Sequence, residues 1–284
     1  MAEHTWAGKA AVVTGGASGI GRALGVELAA RGAHVVLADL DGDAAAAAAG
    51  GLPTHAAGST VGRALDVRDA RAVEALVAEV ADRWGALDLM VNNAGISLGG
   101  RTHLMPPEHW QRTIEVNLIG VVNGVLAAYP RMVAQGHGHV VNMASMAGLA
   151  PTPLTVAYTM TKHGVVGLST TLRIEAAMHG VRVTVVCPGS IDTPILDKGP
   201  SDDLPPAPAG TLRPRQFLEK VHQRPMPVDR FARQALRGIE RNRAIVIVPR
   251  SGHGLWWLQR ISPPAFGRLA GILARRVVRD LPEA

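Results

Sequence analysis

Two hydrophobic rhythms alternate along the chain. Short apolar runs, bounded by glycine, asparagine, aspartate or serine, recur at residues 10–14, 34–39, 61–66, 87–91, 139–143, 182–187 and 244–248. Runs of that length between turn residues predict parallel strands buried on both faces. Between them, apolar residues return every three or four positions. Residues 22–31, 70–84, 107–135, 158–179 and 230–241 carry this helical period, most plainly in Val73, Leu76, Val77 and Val80. The alanine run 44–49, closed by Gly50 and Gly51, predicts a short helix and a loop. Strand alternating with helix, seven strands in all, predicts an α/β fold with a doubly wound parallel sheet and helices on both faces.

Three stretches break the pattern. Asn117 places a polar amide among Val116, Leu118 and Ile119 in the middle of a helix, which predicts a local kink or a held water, or a plain polar face. Residues 190–214 are rich in proline and charge, long for a loop in a compact domain, and predict a mobile lid. Beyond Pro249 a tail begins with Trp256 and Trp257 and continues as a helical pattern over 265–278. There Phe266, Leu269, Ile272, Leu273 and Val277 make an apolar stripe, with Arg268, Arg275 and Arg279 off it. The expected division is a main domain over 1–249 and a basic amphipathic extension over 250–284.

Charge sharpens this division. Residues 1–208 hold 14 Lys/Arg against 18 Asp/Glu, a net of −4; residues 209–284 hold 15 against 5, a net of +10. A basic tail on a mildly acidic body suits an anionic partner: a membrane surface, an acidic cofactor or a neighbouring subunit. A solvated arginine-rich face has the same composition, and the tail could equally cover the cleft. Interleaved aromatics are too few for a nucleic-acid surface. The one cysteine, Cys187, allows no intramolecular disulfide and fits a reducing cytosol. The N-terminus lacks the pattern of a signal peptide, and no uninterrupted apolar run reaches about 18 residues. The expected location is the cytoplasm, with peripheral membrane contact open through the tail. Eleven histidines have no carboxylate or cysteine at ligand spacing, so no metal site is expected.

Candidate chemistry gathers at the predicted strand ends. The first strand runs into Gly15, Gly16, Ala17, Ser18, Gly19, Ile20 and Gly21, and a helix follows. Glycines between strand and helix let the backbone approach a pyrophosphate, which rests on the free N–H groups of the helix start. Asp39 ends the second strand, 24 residues after Gly15. A carboxylate there can accept hydrogen bonds from adenosine ribose hydroxyls and would repel a 2′-phosphate, although a helix N-cap or turn aspartate has the same pattern. Neither Ser18 nor Leu40 is a cation that would attract that phosphate, so NAD is favoured over NADP. Asp66 and Val67 stand where they could cap the adenine, although a plain strand-end aspartate has the same pattern. Asn92, Asn93, Ala94 and Gly95 end the fourth strand, where asparagines can tie neighbouring strands and glycine lets the chain turn beside a ligand. Tyr158 and Lys162 are four apart on a helix, hence on one face. A cation beside a phenol favours the phenolate and makes it a usable base, although an ordinary helix with one aromatic and one surface lysine has the same spacing.

As an ordered set, Thr14 through Gly21, Asn92 to Gly95, Asn117, Ser145, Tyr158, Lys162 and Pro188–Gly189 resemble the short-chain dehydrogenase/reductase family. The interval of 13 residues from Ser145 to Tyr158 is similar to the family's own. The resemblance spans about residues 7–248 and implies a Rossmann-like fold. It implies Tyr158 as general base or acid, Lys162 lowering its pKa and holding the nicotinamide ribose, Ser145 polarising the substrate oxygen, and Asn117 positioning a water as proton relay. Pro188, Gly189, Ile191 and Thr193 would line the nicotinamide end. The implied activity is NAD-dependent hydride transfer on a secondary alcohol or ketone, in a homo-oligomer (dimer or tetramer). The segments 97–104, 146–156 and 191–227 would choose the substrate, and Leu98, Leu104, Met146, Leu149, Leu154, Ile195 and Leu196 give them an apolar, steroid- or lipid-like lining. An NADPH-dependent carbonyl reductase and a non-catalytic dinucleotide sensor are the alternatives.

Overall fold

The computed structural model describes residues 6–53, 55–208 and 210–279. The chain opens with β1 (Ala10–Thr14), α1 (Gly19–Ala29), β2 (His34–Asp39), α2 (Gly42–Gly50), β3 (Ser59–Ala64), α3 (Ala70–Trp84) and β4 (Leu89–Asn92). It continues through α4 (Pro107–Ile114), α5 (Gly120–Gln135), β5 (Gly138–Met143), α6 (Val156–Ala177), β6 (Val181–Pro188) and β7 (Ile191–Asp192). It ends with α7 (Pro214–Lys220), β8 (Met226–Pro227), α8 (Val228–Glu240), β9 (Ile245–Val248), α9 (Gly252–Ile261) and α10 (Pro263–Val278).

Seven strands form one parallel sheet in the order β3-β2-β1-β4-β5-β6-β9, and β7 with β8 makes a two-residue parallel ladder of its own. The order reverses between β1 and β4. In open α/β sheets that reversal leaves a crevice outside the carboxyl ends of the strands. Register brings those ends level: Thr14 pairs with Ala38, Asn92 with Asn142, Met143 with Val186 and Pro188 with Val248.

The sheet is buried on both faces, which is why its strands are continuous apolar runs. Val12, Val36, Met90, Val140 and Val185 face a core closed by α3, α5 and α6, with Val77, Met132 and Val165 fully buried. Their neighbours Val13, Leu37, Val91, Val141 and Val186 face the opposite core under α1 and α8, against Leu24, Leu28, Phe231 and Leu236. Each such side chain contributes about 1.5–3 kcal/mol by leaving water. Helix ends carry matching caps: Asp69 accepts from the N–H groups of Arg71 and Ala72, and Gly85 closes α3 in the left-handed region at φ 80°.

Several boundaries differ from the sequence expectation. β3 lies at Ser59–Ala64, two residues earlier than 61–66, because its ladder runs from His34↔Ser59 to Asp39↔Ala64 whatever the hydrophobicity of Ser59 and Thr60. The helix expected over 107–135 is interrupted: residues Glu115–Ile119 form a π-helical turn, in which Gly120 donates to the Glu115 carbonyl. By length, and by a mean hydropathy of 1.3 over an 18-residue window, the stretch Pro107–Gln135 could cross a membrane, but half of that window is buried within this fold.

The segment expected to be a mobile lid is tied at several points. Arg112 Nη2 donates to Asp203 Oδ2 at 2.7 Å, His109 Nε2 meets the Pro205 carbonyl at 2.7 Å, and Arg215 bonds Asp192 at 2.9 Å and Asp197 at 2.6 Å. The tail folds as two helices, α9 and α10. Trp256 packs on the α3/α5/α6 core, and Phe266 and Val277 are buried.

Candidate active site

Helix α6 begins at Val156, so Tyr158 stands in its first turn and Lys162 one turn further on the same face. The Lys162 ammonium lies 5.5 Å from the centre of the Tyr158 ring. It is buried, and its Nζ donates to the Met143 carbonyl at the end of β5, 2.9 Å away. Burial lowers its pKa from 10.5 to about 8. Tyr158 is half-buried, and its pKa moves up. Desolvation is the main cause, a hydrogen bond with Ser145 opposes it, and Cys187 adds to the rise. The phenol is therefore not acidified in this structure: burial dominates, and Lys162 is not among the groups that shift it.

Ser145 is placed just past β5, where Ala144 donates to the Val186 carbonyl at 2.8 Å. Its Oγ also accepts from the Ala147 N–H at 3.1 Å and so caps the short turn Met146–Gly148. Behind it sits buried Cys187, whose thiol is pushed to about 12 by burial while the Ser145 N–H bonds it.

Asn117 is fully buried in the π-helical turn. Its Oδ1 accepts from the Ile96 N–H and its Nδ2 donates to the Ile96 carbonyl, both at 2.8 Å. This clamp fixes the chain beside Gly95. A Cβ on Gly95 would lie 3.2 Å from Asn117 Oδ1 and 3.6 Å from Lys162 Nζ, so the three groups meet.

A second cluster occupies the ends of β1 and β4. Gly15 and Gly19 have φ of +63° and +52°, a region that favours glycine. A side chain on Gly15 would strike Ala94, and one on Gly21 would strike Asn93 and the Gly15 carbonyl. Asn93 Nδ2 donates to the Thr14 and Gly15 carbonyls at 2.8 and 3.2 Å, while Thr14 Oγ1 accepts from the N–H groups of Asn93 and Ala94 at 2.9 and 3.0 Å. Ser18 is the N-cap of α1 and makes no side-chain cap bond, so the first N–H groups of α1 are free for an anion. Ile20 is packed into the α1/α8 core. Asp39 Oδ2 accepts from the Ala17 N–H at 3.0 Å, which holds the carboxylate against the glycine loop; Leu40 beside it is exposed. These residues fit a dinucleotide: bare backbone at the turn, free N–H groups and a carboxylate at the second strand end.

At the remaining positions, Asp66 is gripped by Arg68, through Nε at 2.9 Å and Nη2 at 2.6 Å to Oδ2. That hydrogen-bonded cation lowers its pKa. The expectation for Asp66 took no account of this partner. Val67 is buried, and its carbonyl accepts from Asn123 at 2.9 Å. Pro188 ends β6, and the Gly189 N–H donates to the Val248 carbonyl at 2.8 Å. Ile191 and Thr193 are buried, and Thr193 Cβ lies 3.3 Å from where a Cβ on Gly19 would stand. The loop after β6 thus packs directly against the glycine turn. Sequence reasoning did not single out Arg68, Ile96, the Met143 carbonyl or the placing of Cys187; all depend on contacts between distant segments or on backbone atoms.

The three segments expected to choose substrate also converge. Gly100 donates to the Leu154 carbonyl at 2.8 Å, and a Cβ on Gly100 would lie 3.0 Å from Thr211 Oγ1.

Comparison with known proteins agrees with this geometry. The family described as short chain dehydrogenase matches residues 9–203. A D-beta-hydroxybutyrate dehydrogenase of Rhizobium meliloti is 35% identical over 227 residues, covering 78% of this chain and 86% of that protein. The Probable oxidoreductase EphD of Mycobacterium tuberculosis is 35% identical over 271 residues, covering 89% of this chain; the match spans only 43% of that longer protein. The crystal structure of a short chain dehydrogenase/reductase from Burkholderia phymatum in complex with NAD superposes with TM-score 0.80 at 28% identity, over 93% of this chain and 96% of that one. The crevice at the β1/β4 reversal, the glycine turn and the matched family together establish that this chain belongs to the short-chain dehydrogenase/reductase family of oxidoreductases.

Proposed function

We propose that the protein is an NAD-dependent dehydrogenase/reductase that interconverts a secondary alcohol and its ketone. The observation that carries this reading is the meeting of Ser145, Tyr158 and Lys162 at the end of β5. The bound nicotinamide would supply the hydride acceptor or donor. Tyr158 would take the proton of the alcohol hydroxyl as general base, or return it to the carbonyl oxygen. Ser145, beside that phenol, would hold the substrate oxygen in place. Lys162 would stabilise the phenolate once it forms, because an opposite charge at this range favours the ionised state. Asn117, clamped on Ile96, would position a water beside Lys162 as a route for the proton.

Asp39 supports NAD over NADP: its carboxylate is fixed next to the glycine turn, where a 2′-phosphate would meet it. The NAD in the Burkholderia phymatum structure is consistent with this. Gly15, Gly19, Gly21, Asn93 and Thr193 would hold the rest of the dinucleotide. An apolar substrate is supported by Leu98, Leu149, Leu196 and Met146 in the three converging segments. A homo-oligomer is supported by Leu126 on α5, by Met160 and Ile174 on α6 and by Met178 at its C-terminal end, all exposed and apolar.

A panel of secondary alcohols with NAD, and of ketones with NADH, followed by NADH absorbance, tests the reading. Turnover is expected with at least one apolar pair and should fall about 10²–10⁴-fold in Tyr158→Phe. Equal rates in wild type and Tyr158→Phe would overturn it.

A further inference from the structure

The tail helices expose an uncommon combination of side chains. Leu255, Trp257 and Ile261 on α9, and Leu269, Ile272 and Leu273 on α10, are between 39% and 77% exposed. Around them stand Arg250, Arg260, Arg268, Arg275, Arg276 and Arg279, all exposed. No aspartate or glutamate occurs from 249 to 279, and among the described residues none of these arginines has an acidic partner in an ion pair. Arg260 lies over the Trp256 ring at 5.7 Å.

We propose that α9 and α10 form a docking surface for an anionic lipid bilayer, placed at the edge of the substrate crevice. Large apolar side chains left in water mark a contact surface. Tryptophan and leucine flanked by arginine suit the interface of a bilayer, where the rings enter the headgroup boundary and the guanidinium groups meet lipid phosphates. A second copy of the same face is a poorer partner, because six arginines would oppose six with no carboxylate among the described residues of the face.

Position links the surface to the site. α9 starts against the crevice: a Cβ on Gly252 would lie 2.9 Å from the sulfur of Met146, the residue after Ser145. Just before α9, Pro249 Cδ lies 3.0 Å from where a Cβ on Gly189 would stand. A bilayer seated on the tail would therefore lie next to the segments 146–156 and 189–196. Docking does not depend on the substrate reading above, since it rests on the tail alone.

The test uses the full chain and vesicles of phosphatidylcholine, with or without phosphatidylglycerol. Co-sedimentation and tryptophan fluorescence measure binding, and sedimentation velocity measures mass. Wild type is expected to bind the anionic vesicles, with a blue-shifted emission, and to leave pure phosphatidylcholine or 0.5 M salt largely free. Neutralising three charges in Arg268→Gln/Arg275→Gln/Arg276→Gln should weaken binding about 100-fold. Trp257→Ser/Ile272→Ser should abolish the blue shift. Thermal melts and turnover in vesicle-free buffer, unchanged in both variants, report an intact fold. Failure of the wild type to bind anionic vesicles overturns the proposal. So does vesicle binding that the variants keep, or a variant that lowers the mass while leaving vesicle binding intact, which would mark the face as a contact between copies.

Discussion

Arg112 on α4 reaches Asp203, 91 residues away in sequence, with its Nη2 2.7 Å from the carboxylate. The pair is the last link of a charge chain. Asp66 holds Arg68 at 2.6 Å, Arg68 approaches Glu115 at 3.8 Å, Glu115 approaches Arg112 at 3.9 Å, and Arg112 holds Asp203. One end, just past β3, is the aspartate expected near adenine; the other is in the proline-rich segment expected to help choose the substrate. Arg112 first, and Ser201 second, hold the Asp203 carboxyl at about 2.

Asp203→Asn should therefore loosen residues 190–214 without unfolding the chain. Exposed pairs contribute little to global stability, so the midpoint of thermal unfolding should hardly move. Limited proteolysis inside this segment should speed up severalfold, and KM should rise about three- to tenfold while kcat stays within about twofold. An unchanged cleavage pattern would show that His109 and Arg215 suffice as ties.

Lys162 makes a second prediction, in the opposite direction for stability and activity. Its folded pKa is about 8, below the ordinary 10.5. Between these values the unfolded chain binds more proton than the folded one, so stability rises with pH across that window. The stability is fully present above 10.5 and is lost as pH falls through 8. At pH 7 the fold therefore carries the cost of a buried cation. Lys162→Met should abolish most turnover yet melt about 3 °C higher than wild type at pH 7, even after losing the bond to the Met143 carbonyl. That gap should shrink toward pH 10. Paired thermal melts at the two pH values check the sign.

How far the sequence spoke depends on the range of the contact. β1 and β2 lie at the expected residues because each is an apolar run that ends in a turn. The parallel seven-stranded sheet followed from alternation alone. Asn117 was visible as an oddity, but not the π-helical turn that holds it, since a one-residue change of helical register has no compositional mark. The tie between Arg112 and Asp203 was hidden for another reason: two surface charges 91 residues apart carry no pattern, and the segment looked mobile because its prolines resemble those of a free loop. Helix α9 escaped too, its Gly252 and Gly254 being poor helix formers that packing on Met146 and Ile247 overrides.

Asp39 offers a test of cofactor choice. Its carboxylate accepts from Ala17 and lies where negative charge would oppose a 2′-phosphate. On the proposed reading, removing it takes away both the ribose acceptor and the repulsion. In Asp39→Ala, kcat/KM with NAD should fall about tenfold and that with NADP should rise, so that their ratio moves by about 100-fold. Parallel assays with the two cofactors measure it, and a ratio that stays put would transfer the preference to other residues.

Gly21 tests the cradle itself. A methyl there would sit 2.7 Å from Asn93 Nδ2 and press on the Gly15 carbonyl. Neither neighbour has room to yield. The Asn93 amide is held by the carbonyls of Thr14 and Gly15, and Gly15 is fixed in the left-handed region against Ala94. Gly21→Ala must therefore push the glycine turn away from the end of β4, displacing the N–H groups at the start of α1 on which a pyrophosphate would rest. The sheet beneath is built from β1, β2 and β4 and does not depend on that turn, so the far-ultraviolet circular dichroism should be that of wild type. NADH titrated against protein fluorescence should bind at least about 100-fold more weakly. Wild-type NADH affinity in Gly21→Ala would show that the dinucleotide lies elsewhere than on this turn.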